Sequence, residues 1–318
     1  MLAKRTRRVG HWVHGVCLLW VFVLPGGVHA AVIGVLYPEI REPYRSVFLN
    51  MGRGIEEAAA GHQVVYRALS RDDGTDAIRA WIDEASVDVV VALGNRAHRA
   101  AVPLRADIPV LVGAVLASPA LQEMDAVGVA LDPHPGALFA ALRRFAPGVR
   151  TVHVVLSQRR TAWLLPFARE AAREHGLRLR AHVVADLTES AGMFEALMER
   201  IDSRRDAIWL VQDPTVVDSS AVLPYVLREA WRRDLVVFSS NPEHVKRGAL
   251  FGAFPNHVAA GRRLGALASA LADGRNGRLR LEPLAGVRFA FNTRTADHLG
   301  LRMSQRARAM ISLEFPAR

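Results

Sequence analysis

Short β-branched and aliphatic runs alternate along this chain with segments of helical period, and that alternation restricts it to a layered α/β fold. Strand-like runs fall at residues 32–36, 63–68, 87–93, 110–112, 128–131, 151–156, 180–184, 207–211 and 235–238. Helix-period segments fall at 47–60, 77–85, 96–105, 135–144, 162–175, 189–202, 216–233 and 257–272, separating nearly all of the strands. Such spacing is that of βαβ units, whose parallel strands are covered by helices on both faces. Strands covered on both faces should read as nearly continuous apolar runs, as VDVVVAL and TVHVVL do.

The order of the units predicts two sheets. The first series runs to about Leu131, where Asp132-Pro133-His134-Pro135-Gly136 interrupts it with turn residues, and a fresh series then runs to Phe238-Ser239-Ser240. Phe251-Gly252-Ala253-Phe254-Pro255, a helix rich in small residues and a last strand near 286–292 follow. The predicted division is residues 31–131 plus 255–283 for one lobe and 132–254 plus 284–318 for the other. Two doubly wound parallel-sheet lobes joined by a hinge would leave a cleft between them.

Residues 1–30 read as an export signal. Lys4, Arg5, Arg7 and Arg8 precede the apolar run VCLLWVFVL, and Pro25-Gly26-Gly27 leads to Val28-His29-Ala30, an A-x-A-like cleavage site. The run is short for a bilayer span. Cleavage near Ala30 and a periplasmic location are therefore expected. Cys17, the single cysteine, would leave with the signal, which excludes disulfides and thiolate chemistry from the exported chain. Loss of those four cations lowers the formal charge of +10 by four. The remaining cations are arginines apart from Lys246. Pairs such as Arg143-Arg144, Arg159-Arg160 and Arg232-Arg233 are dispersed along predicted helices, so they read as solvated faces and not as a nucleic-acid groove.

Four stretches of the second half, DAIWLVQDPTVV (206–217), VVFSSNPEHVKRGAL (236–250), Gly261-Arg262-Arg263 and NTRTADHLGL (292–301), together resemble the ABC-transporter substrate-binding proteins of the type I periplasmic-binding fold, a group that includes aromatic amino-acid receptors. Residues 206–217 (DAIWLVQDPTVV) are similar to the family's apolar strand ending in a polar D-x-T-type loop. Residues 236–250 (VVFSSNPEHVKRGAL) are similar to its V-F-x-S-x-P-E-x-V-K-x-G-A-L stretch. Gly261-Arg262-Arg263 matches a G-R-Q pattern, and residues 292–301 (NTRTADHLGL) resemble its N-x-x-T-A-x-x-L-G-L ending. The first half departs from the pattern. Tyr37-Pro38-Glu39-Ile40 lacks an acidic and histidine pairing, Leu93-Gly94-Asn95-Arg96-Ala97 stands for an L-G-T-P-A-type loop, and Gly113-Ala114-Val115-Leu116 has no D-P-V element. The resemblance implies a small-molecule ligand, an amino acid among the candidates, an ABC permease or other inner-membrane partner, and a monomer.

Parallel α/β sheets bind ligands at the carboxyl ends of their strands. That rule selects Tyr37, Asn95 and Gly113 in the first lobe and Ser157, Gln158, Gln212, Asp213, Thr215, Ser240 and Asn241 in the second. Asp213 would face an ammonium and Asn95 a carboxylate. Each has a structural alternative: Tyr37 closing a strand end, Asp213-Pro214-Thr215 and Asp186 capping helices, Ser239-Ser240-Asn241-Pro242-Glu243 turning into a helix, Phe254 packing at a crossing.

Catalytic signatures are missing from the sequence: no G-x-S-x-G, no P-loop, no G-x-G-x-x-G after a strand and no H-E-x-x-H. Gly52-Arg53-Gly54 lies inside a helical segment and reads as close packing. His98, His134, His153 and His257 read as surface or packing residues. The expectation is a binding protein with no cofactor, no metal site and no catalytic set. A ligand sensor for a membrane signalling partner and a periplasmic hydrolase are the alternatives.

Overall fold

In the computed structural model, residues 30–42, 44–59, 61–275 and 279–316 are described. The signal-like segment and Cys17 lie outside them. The first lobe is built as β1 (Val32–Pro38), α1 (Arg45–Ala58), β2 (Gln63–Leu69), α2 (Thr75–Glu84), β3 (Val89–Leu93), α3 (Gly94–Ala101), β4 (Val110–Val115), α4 (Pro119–Glu123) and β5 (Val127–Pro133). The chain then enters a second series. It runs α5 (Pro135–Phe145), β6 (Thr151–Ser157), α6 (Leu165–Glu174), β7 (Arg178–Val184), α7 (Leu187–Arg200), β8 (Asp206–Leu210), α8 (Val222–Arg232), β9 (Val236–Ser239), α9 (Pro242–Lys246) and β10 (Phe251–Pro255). It crosses back through α10 (His257–Ala272) to β11 (Leu281–Leu284), and returns once more through β12 (Val287–Asn292), α11 (Thr293–His298), α12 (Gln305–Arg308) and β13 (Ile311–Phe315).

These strands form two mostly parallel sheets. One has the order β11-β5-β4-β3-β1-β2, the other β13-β12-β10-β9-β8-β6-β7. The strand order reverses within each sheet, so helices cover both faces. Among the described residues the single antiparallel pair is β10 with β12, where Phe254 faces Arg288 and Pro255 faces Val287.

Three chain crossings join the lobes, and all lie at carboxyl strand ends. β5 ends at Pro133 and α5 begins at Pro135; β10 ends at Pro255 and α10 begins at His257; β11 ends at Leu284 and β12 begins at Val287 against the end of β10. The crossings are bonded to one another: His134 N–H donates to Leu284 O at 2.9 Å and Asn256 N–H to Gly286 O at 3.2 Å. The carboxyl edges of the two sheets must therefore face each other across the hinge.

Several elements differ from the sequence reading. The predicted helix 216–233 starts only at Val222, because the Asp218 carboxylate accepts from the N–H groups of Ser220, Ala221 and Val222 and caps the helix there. The predicted helix 96–105 gives way to a 3₁₀ turn at Val102–Leu104, where Pro103 cannot donate an i to i−4 bond. β10, β11 and β13 are strands that the reading did not assign. β11 carries Pro283, which argues against a central strand and is tolerated here because β11 is an edge.

The second lobe has one aromatic core in which Phe139, Trp209, Phe238 and Phe251 are fully buried. Trp209 and Phe238 stack at 6.5 Å, and Phe139 meets both edge-on. In the first lobe, α1 and α10 cross at backbone contact. A Cβ on Gly261 would lie 2.0 Å from Met51 O, and one on Gly54 would lie 2.1 Å from Val258 O. Gly54 thus serves the close packing expected of it.

Candidate ligand-binding site

The loops at the facing carboxyl edges bring several of the selected residues together, chiefly in the second lobe. β6 ends at Ser157, whose N–H donates to Thr161 Oγ1 at 2.9 Å, and Thr161 Oγ1 in turn donates to Asp213 Oδ2 at 3.4 Å. The other carboxylate oxygen of Asp213 accepts from Thr215 N–H at 3.0 Å and Thr215 Oγ1–H at 2.7 Å. Arg160 Nε approaches the same oxygen at 3.4 Å. Ser157, Asp213 and Thr215 therefore form one polar set, tied together by two residues that the sequence reading did not select, Arg160 and Thr161. Arg160 also corrects that reading: it lies in the turn after β6, not on a helix.

Ser240 is buried and its Oγ accepts the Trp209 indole N–H at 2.9 Å. Asn241 caps α9, its side chain accepting from Glu243 N–H, while its own N–H donates to Ser239 Oγ. Ser239 Oγ–H donates to Leu210 O, so His244, 2.8 Å away, must donate Nδ1–H to that oxygen. Burial pushes His244 down to about 4, which keeps the ring neutral. Gln212 is half-buried beside Asp213, and Gln158 is exposed with its N–H bonded to Val184 O.

The first-lobe residues are more dispersed. Tyr37 is half-buried, stacked on Phe48 at 6.5 Å and edge-on to Tyr66 at 6.5 Å. It lines a hollow of about 850 Å³ at the ends of β1 and β2, together with Glu39, Ile40, Arg41, Glu42, Arg45 and Arg71. Asn95 is exposed in the first turn of α3. Gly113 lies within β4, and a Cβ there would meet Leu264 Cδ1 of α10 at 2.4 Å, so its side-chain position faces the helix.

Asp132 is a further polar group at the hinge. It is buried, accepts from Ala117 N–H at 2.8 Å, and its carboxyl is pushed up to about 6 by burial and by the nearby charge of Asp213, against the pull of that bond and of Arg160. Its place inside the Asp132-Pro133-His134-Pro135 turn had marked it only as punctuation. Close by, Trp163 packs on the second-lobe core and on the first-lobe cluster of Val112, Val115 and Ala130, so one side chain spans both lobes.

What this edge offers is hydrogen bonding, carboxylates and guanidinium groups, a set suited to binding a small polar molecule. Among the described residues no group of three or more His, Cys, Asp or Glu is placed to hold a metal ion. No helix among them is long and apolar enough to cross a membrane.

Residues 68–310 match the family model described as ABC transporter substrate binding protein. The chain belongs to that family. The family is one of solute-binding proteins that serve ABC transporters, not a class of enzymes, and the described lobes have its two-sheet periplasmic-binding fold. Among solved structures, the ligand-free, open form of CD0873, a substrate-binding protein with adhesive properties from Clostridium difficile, is similar at a TM-score of 0.59 and 16% identity. It covers 91% of this family member and 100% of that chain. An ABC domain in complex with L-Trp from Streptococcus pneumonia matches at a TM-score of 0.48 and 17% identity over 90% of this chain and 99% of that one. No curated protein matches the chain in sequence.

Proposed function

We propose that this protein captures a small polar solute in the cleft between its two lobes and presents the closed form to an ABC permease in the inner membrane. The lobes are residues 31–131 plus 255–283 and 132–254 plus 284–318, and the chain acts in the periplasm, as a monomer, after cleavage near Ala30. The observation that carries the reading is the meeting of the two carboxyl edges at three bonded crossings. Ligands of open α/β sheets bind at those edges, and a hinge there lets one ligand touch both.

In the second lobe Asp213, Thr215, Ser157 and Gln212 would supply one polar wall of the cleft; in the first, Tyr37 and Asn95 would supply the other. A zwitterionic ligand such as an amino acid suits this set: its ammonium would compete with Arg160 for Asp213, and its carboxylate would take Arg160 or the Asn95 side chain. Binding involves no covalent step.

A thermal-shift screen of the chain against amino acids, nucleosides, sugars and small anions tests the proposal. A ligand at about 100 times its Kd contributes about 2.7 kcal/mol. The matching ligand should raise the melting temperature, shrink the radius of gyration in X-ray scattering, and be recovered unchanged. Stabilisation without compaction, or turnover of the ligand, would contradict cleft capture.

A further inference from the structure

A second polar hollow lies at the other end of the second lobe. The parallel register of β6, β7 and β8 places Thr151 beside Arg178 and Asp206, and His153 beside Arg180. Residues two apart point to one face, so Thr151 and His153, Arg178, Arg180 and His182, and Asp206 share a face under α7. They line a hollow of about 310 Å³ whose α7 side includes Arg200. Thr151, Arg178 and Asp206 are the first residues of their strands. The hollow therefore sits at the amino edge, roughly 20 Å along the strands from the carboxyl edge.

Parallel strands in a doubly wound sheet are normally apolar on both faces, and this face is not. His153 is 7% exposed, and its Nε2 lies 3.2 Å from Asp206 Oδ2. A carboxylate only accepts, so Nε2 carries the proton and Nδ1 is bare in the neutral ring. Nδ1 is buried without a partner, and so is Nε2 of His182, whose ring lies parallel to that of His153 at 6.4 Å. Arg178, Arg180 and Arg200 form no ion pair among the described residues, while the one carboxylate of the hollow, Asp206, is engaged by His153. Three guanidinium groups without an ion pair and two unpartnered imidazole nitrogens, around a single carboxylate already held by His153, select an anion, and disfavour a metal cation.

We propose that this hollow is a second ligand site, separate from the cleft, for a small oxyanion of the phosphate type, with the arginines holding its charge and His153 Nδ1 binding it as a protonated donor. Binding then takes up a proton. Without the anion, burial holds both histidines below the ordinary imidazole range, Asp206 opposing that for His153, while His182 is lowered further by His153 and by Arg180. The anion supplies the missing counter-charge. The other charged groups facing the rings are Arg178 and Arg200, which act in the same direction as Arg180. Affinity should therefore rise as pH falls through the histidine range.

The test is calorimetric titration of the chain with inorganic sulfate, a tetrahedral oxyanion whose own charge does not change between pH 6 and pH 8, in buffers of different ionisation heat at those two pH values. One saturable site is expected, tighter at pH 6, with a heat that varies with the buffer. Arg180→Gln, an exposed change, should weaken it at least tenfold while leaving the melting temperature in sulfate-free buffer unchanged. His153→Asn should remove the proton uptake. No saturable heat at pH 6, full affinity in Arg180→Gln together with Arg178→Gln, or loss in the cleft variant Arg160→Gln instead would overturn the assignment.

Discussion

Arg160 Nε stands 3.4 Å from Asp213 Oδ1, pairing a guanidinium that is 42% exposed with a carboxylate that is wholly buried. The asymmetry decides which partner matters. The arginine can swing into solvent at little cost, whereas the aspartate also anchors Thr215 and Thr161 and so fixes the loop after β8. Asp213→Ala is expected to lower stability by about 1–3 kcal/mol, the usual loss on breaking a buried, charge-assisted set of hydrogen bonds, and to abolish ligand-induced compaction. Arg160→Ala should leave stability within about 0.5 kcal/mol and change only affinity. Urea denaturation and ligand titration of the two variants separate these outcomes; equal stability losses would refute the asymmetry.

Ser240 presents a different balance, because its hydroxyl serves the core. It accepts the indole N–H of Trp209, a fully buried side chain in the centre of the second lobe. Ser240→Ala leaves that N–H buried without a partner, an expected loss of about 1–3 kcal/mol. The conservative Ser240→Thr keeps the oxygen and should recover part of it. If Ser240 contacts ligand as well, affinity will fall in the alanine variant beyond what the stability change brings, which calorimetry measures.

The fold class was legible because βα alternation is a property of local composition, repeated often enough that single errors did not matter. What failed to show was decided by tertiary neighbours. β11 looks like a loop until β5 lies beside it, since Pro283 is acceptable only on an edge. The start of α8 depends on which of several polar residues wins the capping competition, and Asp218 wins by reaching three N–H groups. At the site, loop position selected Ser157, Asp213 and Thr215, which hydrogen bonds join, but Arg160 read with Arg159 as a solvated helix face and Thr161 was not selected. Gly113 was selected as the start of the loop after the fourth strand, whereas it lies within β4, where only the approach of Leu264 reveals what its missing side chain accommodates.

The crossing of α1 over α10 predicts a steep sensitivity to single methyl groups. At Gly261 and Gly54 an added Cβ meets backbone carbonyls, which cannot move without parting the helices. Gly261→Ala and Gly54→Ala should each lose about 1–3 kcal/mol or more. At Gly52 the nearest atoms belong to the half-exposed ring of Tyr66, at 3.1 Å and beyond, and the ring can shift. Gly52→Ala should therefore be much milder, within about 1 kcal/mol, since helix propensity favours alanine. A similar loss at all three positions in denaturant melts would show that the contacts at Gly54 and Gly261 relax.

Two buried groups, Asp132 near the end of the first-lobe strand β5 and His244 in the second-lobe helix α9, oppose each other in the same pH window. Asp132 is raised to about 6, so the folded chain holds its proton where the unfolded chain, titrating near 3.8, has released it. Its contribution makes stability fall as pH rises from about 4 to 6. His244 is lowered to about 4 from 6.5, so the unfolded chain binds a proton that the folded one does not, and its contribution makes stability rise over the same window. Each shift of about two units corresponds to about 3 kcal/mol at most, and the two largely cancel. The other histidines lowered by burial, His98 and His153, which are buried, and His134, His182 and His257, which are half-buried, tip the balance, so stability of the native chain should climb gently between pH 4 and 6.5. Asp132→Asn keeps an acceptor for Ala117 N–H and removes the opposing group, which should steepen that climb by on the order of 2 kcal/mol. His244→Asn should flatten or reverse it. Denaturant melts of the three proteins at pH 4, 5, 6 and 7 measure the slopes directly, and parallel curves for native chain and Asp132→Asn would mean that the hinge carboxyl is ionised throughout.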